Sequence, residues 1–120
     1  MISAFGDILR DAVEAVPGAV AGVFADADGE PVDAYPANDE RWPLLAAHFG
    51  VVLANVQAAL RTLHYGEAES LVIRHRELVV VVEAVCDGTF ALLGIVPPAK
   101  LASAMPALAT AADRLREEMA

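Results

Sequence analysis

Between Arg41 and Arg61 this chain carries no charged residue, yet the stretch has helical character. The segment WPLLAAHFGVVLANVQAAL, residues 42–60, is apolar or small nearly all round. A helix on a globular surface normally shows water a polar face. Wound as a helix, Leu45, Phe49, Val52, Val56, Leu60 and Leu63 fall on one side at steps of four and three, a stripe fit to cover a sheet. The opposite side carries Ala47, Gly50, Val51, Ala54 and Ala58, with Arg61 at its end. Small residues there let a second helix approach closely. The expectation is a helix buried twice, by its own domain and by a second copy or another protein.

Two other readings compete. A nearly uncharged run of about this length meets the length criterion for a membrane span. His48, Asn55 and Gln57 point different ways around the helix, and polar groups inside a bilayer are costly, so membrane insertion is not expected. A helix buried within a monomer needs layers on both sides, and 120 residues supply few.

That length makes residues 1–120 one domain. Hydrophobic residues make up 57% and mean hydropathy is +0.48, which excludes disorder. Seventeen acids against eight basic residues give a net charge of −9. Such a chain repels phosphate backbones, so nucleic-acid partners are not expected, and a basic protein surface suits it better. The one cysteine, Cys86, cannot form an internal disulfide and fits a reducing cytoplasm. No secretory leader is expected, because Asp7 and Asp11 interrupt the N-terminal apolar pattern. Basic residues that are nearly all arginine, with abundant alanine, fit a GC-rich bacterial genome.

Ile2, Phe5, Leu9, Ala12, Val13 and Val16 repeat at helical spacing and predict a first helix over 3–16, stopped by Pro17-Gly18. A strand over 19–25, the Asp28-Gly29 turn signal and a strand over 32–35 form a hairpin. Pro31 and Pro36 bracket the second strand and place it on a sheet edge. Asn38 and Asp39 are cap candidates for the long helix, which should run to about Tyr65 and stop at Gly66. Strands follow over 70–75, 77–86 and 89–96, joined by hairpin-length links. The run Leu78-Val79-Val80-Val81-Val82 implies a strand covered on both faces. Leu101, Met105, Leu108, Ala112, Leu115 and Met119 predict a last helix, in which Pro106 means a kink or a start near Ser103. The fold class is therefore α/β in the α+β sense, with the order α-β-β-α-β-β-β-α. A five-stranded antiparallel sheet carries the long helix on one face and the terminal helices on the other. The strand at 70–75, with Leu71, Val72 and Ile73 and no proline, is the other edge, open to pairing with another chain.

No phosphate-loop motif G-x-x-x-x-G-K-[ST] is present, so GTP binding of the GTPase kind is not expected. Asp26, Asp28 and Glu30 alternate as in a calcium loop, but Gly29 comes too early and the later acids are missing, so a turn is the better reading. His48, His64 and His75 match no metal spacing, and Cys86 lacks a second cysteine. No nucleophile, base and orienting group stand together, so neither an enzyme nor a cofactor is expected. Arg74 and Arg76, with Arg61, lie near the supposed interface and could face a partner; an arginine supplied in trans can stabilise charge on a transferring phosphate.

The layout resembles the Roadblock/dynein light chain family over nearly the whole chain. The resemblance is carried by PGAVAGVFADADGEPV entering the first hairpin, by the small-residue second helix, and by Cys86-Asp87-Gly88-Thr89 between the last two strands. It implies a homodimer or heterodimer in which second helices pack together and sheets join edge to edge. It also implies a Ras-like small GTPase as partner, with or without stimulation of GTP hydrolysis. A scaffold subunit and a ligand-binding sensor domain are the alternatives.

Overall fold

The computed structural model describes residues 3–120. The expected position of Ile2 in the first helix lies outside the described residues. The element order is α1 (Ala4–Ala15), β1 (Ala19–Ala25), β2 (Pro31–Tyr35), α2 (Arg41–Thr62), β3 (Ser70–Arg74), β4 (Val79–Ala84), β5 (Phe90–Ile95) and α3 (Leu101–Met119). All strand pairs are antiparallel and the sheet order is β2-β1-β5-β4-β3. The proline-bracketed strand and the Leu71-Val72-Ile73 strand are therefore the two edges, as the sequence predicts.

Alternation along the strands divides the core into two layers. On one face α1 and α3 bury Ile8, Leu9, Val13, Leu108 and Leu115 against Phe24, Val79, Val81 and Leu93. On the other, α2 buries Trp42, Ala46, Phe49 and Leu53 against Val23, Val80, Val82 and Leu92. All four valines of 79–82 are buried, which is why the run does not alternate.

Local chemistry sets the element ends. Ser3 accepts a hydrogen bond from the Gly6 N–H at 3.0 Å and caps α1, and its hydroxyl also meets the Asp33 carboxylate on β2. In the β1–β2 turn, Asp26 Oδ1 accepts from the N–H groups of Asp28 (2.9 Å) and Glu30 (3.0 Å), while Gly29 takes a left-handed φ of 82°. Asp26 is thus a turn-forming residue.

Helix α3 begins at Leu101, earlier than the Ser103 alternative, and keeps Pro106 inside it. Near its other end Arg116 donates to the Val85 and Ala84 carbonyls (2.5 and 2.8 Å), clasping the helix to the end of β4. Helix α2 ends at Thr62, before the expected Tyr65–Gly66 boundary. There Tyr65 N–H donates to the Leu60 carbonyl and His64 N–H to that of Arg61, with His64 at φ 60°. That is a Schellman stop with histidine in the place glycine usually takes.

Candidate dimer and partner interface

The N-terminus of α2 is fixed by one carboxylate. Of the two cap candidates, it is Asp39 that accepts from the Arg41 N–H (3.2 Å), the Trp42 indole N–H (3.1 Å) and the Arg41 guanidinium (2.6 Å). The Arg41 hydrogen bond holds the Asp39 carboxyl down at about 2. The guanidinium also lies 5.3 Å from the Trp42 ring centroid. Trp42 in turn covers β5 where Gly94 leaves room: a Cβ on Gly94 would sit 3.0 Å from the indole. Sequence reasoning gave Trp42 no role. The signal available was an acid three residues ahead of a tryptophan at a helix start.

Here α2 departs from the sequence expectation in phase. The buried stripe is Trp42, Ala46, Phe49, Gly50 and Leu53. Of the residues expected to cover the sheet, only Phe49 is fully buried; Leu45, Val52, Val56 and Leu60 are half-buried and Leu63 is exposed. The half-buried set forms a flank. Its Leu45 borders the β3–β4 hairpin, beside Leu78, on the side of the β3 edge.

The small-residue face is divided accordingly. Gly50 is not free for a partner helix: a Cβ there would lie 2.9 Å from Gly29 Cα, so α2 rests backbone to backbone on its own β1–β2 turn. Ala47 packs on the same turn, within 3.1 Å of a Cβ built on Gly29. Ala54 and Arg61 are exposed and line a cleft of about 480 Å³ together with Ala27 and the β4–β5 turn. Val51 and Ala58 face solvent. The outward ridge is instead Leu44 and Val51, 63% and 62% exposed, one heptad apart and continued by Ala58. Leaving two such side chains in water forgoes roughly 1–2 kcal/mol each.

On edge β3, Leu71, Val72 and Ile73 are half-buried, with Leu71 and Ile73 on the α2 face and Val72 on the other. Arg74 ends this strand and Arg76 lies in the following hairpin; both are exposed, as is His75 between them. The structure places Leu45 of α2 with Leu71 and Ile73 of β3 against the same core layer. It does not bring Gly50 or Ala54 to that edge.

Helix α2 is long and apolar enough to cross a membrane by length and composition. Five of its residues are nevertheless buried in the sheet layer, and Gln57 is hydrogen-bonded to both the N–H and the carbonyl of Ala68. Among the described residues, no three His, Cys, Asp or Glu side chains are grouped to hold a metal ion. Cys86 is half-buried beside Thr89.

An open antiparallel sheet of order β2-β1-β5-β4-β3, with one long helix on one face and the terminal pair on the other, is the Roadblock/LC7 fold. No family model and no curated protein matches the sequence. Among solved structures, a Roadblock/LC7 domain from Streptomyces avermitilis is similar with a TM-score of 0.86 at 17% identity, over 93% of this chain and 94% of that one. The gliding protein MglB from Thermus thermophilus is similar with a TM-score of 0.84 at 16% identity, over 98% and 90%. MglC from Myxococcus xanthus gives 0.72 at 20%, over 97% and 99%.

Proposed function

We propose that this protein is a non-enzymatic, cytoplasmic homodimer that binds a Ras-like small GTPase and modulates its activity. One observation carries the reading. A helix without charge from 42 to 60 keeps a solvent-facing ridge of Leu44 and Val51, and the sheet ends in a proline-free apolar edge at β3, so two apolar surfaces lack a cover among the described residues. Surfaces of that kind mark association sites. The fold shared with MglB, one structure of which is described as a tetrameric arrangement, supports self-association. The Roadblock likeness supports a GTPase partner. Arg74 and Arg76 at the exposed hairpin are the cations available to it, whether it is accelerated by an inserted arginine or by reshaping of its switch regions.

Light scattering at micromolar concentration should return twice the 12.6 kDa chain mass. Val51→Glu should return the monomer with the fold intact, because Val51 costs the single chain little while the dimer would bury an unpaired charge. A monomeric parent protein would end the reading. GTP turnover by a captured Ras-like GTPase, with and without this protein, then separates roles. A faster rate assigns activation, and tight binding with an unchanged rate leaves a scaffold.

A further inference from the structure

The sequence has one thiol and no second cysteine, but the fold supplies that thiol with a second sulfur. Cys86, at the β4–β5 turn, directs its thiol at the thioether of Met119 in the last turn of α3, with the two sulfurs 3.8 Å apart. The two residues are 33 positions apart in the chain, so only tertiary packing joins them.

Both sides of the pair are held in place. On one side, the Thr89 hydroxyl accepts from the Cys86 N–H (3.1 Å), and the Thr89 N–H donates to the Cys86 carbonyl (2.8 Å). Between them Asp87 and Gly88 take left-handed φ angles of 50° and 85°, the backbone of a tight two-residue hairpin turn. On the other side, Arg116 lies one helical turn before Met119 on the same face of α3. Its guanidinium grips the Ala84 and Val85 carbonyls at 2.8 and 2.5 Å, which fixes the end of α3 against the two residues that precede Cys86. Donors set by a rigid framework lose little freedom when they close on an ion. Met119 keeps flexible torsions with which to adjust. It is 42% exposed and Cys86 is half-buried, so an ion in solution can reach both sulfurs.

The donor set decides which ion suits the pair. Thiolate and thioether are soft ligands and select Cu(I) over harder cations. A zinc site takes four ligands from thiolate, imidazole and carboxylate groups, and among the described residues no three His, Cys, Asp or Glu side chains are grouped. The spacing agrees with this choice. With metal–sulfur bonds of about 2.3 Å, sulfurs at this separation subtend about 110° at the ion, near a trigonal arrangement, and opening by roughly 0.8 Å makes it linear.

We propose that Cys86 and Met119 form a binding site for one soft monovalent ion, Cu(I), on the α1–α3 side of the sheet, where Cys86 packs. Binding exchanges the thiol proton for the ion. The S–H bond breaks, a sulfur–metal bond forms and one proton passes to solvent. Met119 gives a lone pair without change of charge, and no electron is transferred. The bound ion ties the β4–β5 turn to the last turn of α3. The site is separate from α2 and the β3 edge, so its test does not depend on the association proposed for those surfaces.

Silver(I), a redox-inert ion of the same charge and softness, is the probe. Titrated by calorimetry in chloride-free buffers of different ionisation enthalpy, the parent protein should take one ion per chain and release one proton. Cys86→Ser should abolish this binding. Met119→Leu conserves side-chain volume at an exposed helix end and should weaken binding at least tenfold. Met119→Cys should bind at least as tightly as the parent, and Met105→Leu, on the same helix, should not change the affinity. Saturating silver(I) should raise the melting temperature of the parent and leave that of Cys86→Ser unchanged. Unchanged affinity in Met119→Leu would reduce Cys86 to a lone thiol and overturn the site. Weak binding by Met119→Cys, or a loss in Met105→Leu equal to that in Met119→Leu, overturns it as well. One ion per two chains would mean a bridge between copies and also overturns it. Copper(I), held reduced without oxygen and competed against bicinchoninate, should follow the same order of affinities; a different order overturns the assignment of the ion.

Discussion

Gly50→Ala separates the two placements of α2 by the sign of its effect. Alanine is favoured over glycine inside a helix by about 0.5–1 kcal/mol, so an outward-facing position 50 would make the variant more stable. In the structure the new Cβ would stand 2.9 Å from Gly29 Cα and 3.4 Å from Gly29 N. Carbon atoms in contact prefer about 3.5–4.0 Å. The neighbour is backbone and cannot swing away. It belongs to a turn held by Asp26, which receives the N–H groups of Asp28 and Glu30 on its side chain and that of Gly29 on its carbonyl. Overpacking of this kind costs about 1–3 kcal/mol. The net expectation is a loss of about 0.5–2 kcal/mol. Urea denaturation followed by far-ultraviolet circular dichroism, at matched protein concentration, reads it directly. With a slope of about 1–3 kcal/mol per molar urea, the midpoint should fall by roughly 0.2–2 M. A midpoint that rises would refute the backbone contact between α2 and the hairpin.

Two further outcomes follow from the start of α2. Trp42→Ala removes the indole that covers Gly94 and should cost about 3–5 kcal/mol, a melting-temperature drop of roughly 10–20 °C by calorimetry; a drop under about 3 °C would contradict the packing. Asp39→Asn should be less stable than the parent at pH 7. The Asp39 carboxyl is lowered from 3.8 to about 2, so its contribution is full above about pH 4 and is lost as pH falls through about 2. The gap between parent and variant, followed as melting temperature against pH, should therefore close over that window. A gap that widens toward pH 2 would reverse the assignment.

The division between what was legible and what was not follows residue chemistry. The Asp28-Gly29 turn, the Pro31 and Pro36 brackets and the fully apolar run 78–82 each impose a local constraint, and hairpin-length links leave little choice of pairing. From these alone the strand order and both edges follow, as does the division of helices between the two faces. The open β3 edge belongs with them, since lack of proline and of inward charge is visible in the letters. The face of α2 does not. A helix that is apolar nearly all round carries no phase signal, because rotating it exchanges one hydrophobic stripe for another at little cost. Leu45-Phe49-Val52-Val56 and Trp42-Ala46-Phe49-Leu53 are both acceptable stripes as sequence. Only the folded chain chooses between them, through two long-range contacts: Trp42 fills the space over Gly94, and Gly50 meets the backbone of Gly29. Those contacts join residues far apart in the chain, at distances set by the packing of helix on sheet. No local pattern records them, and they decide which side of the helix is left for a partner.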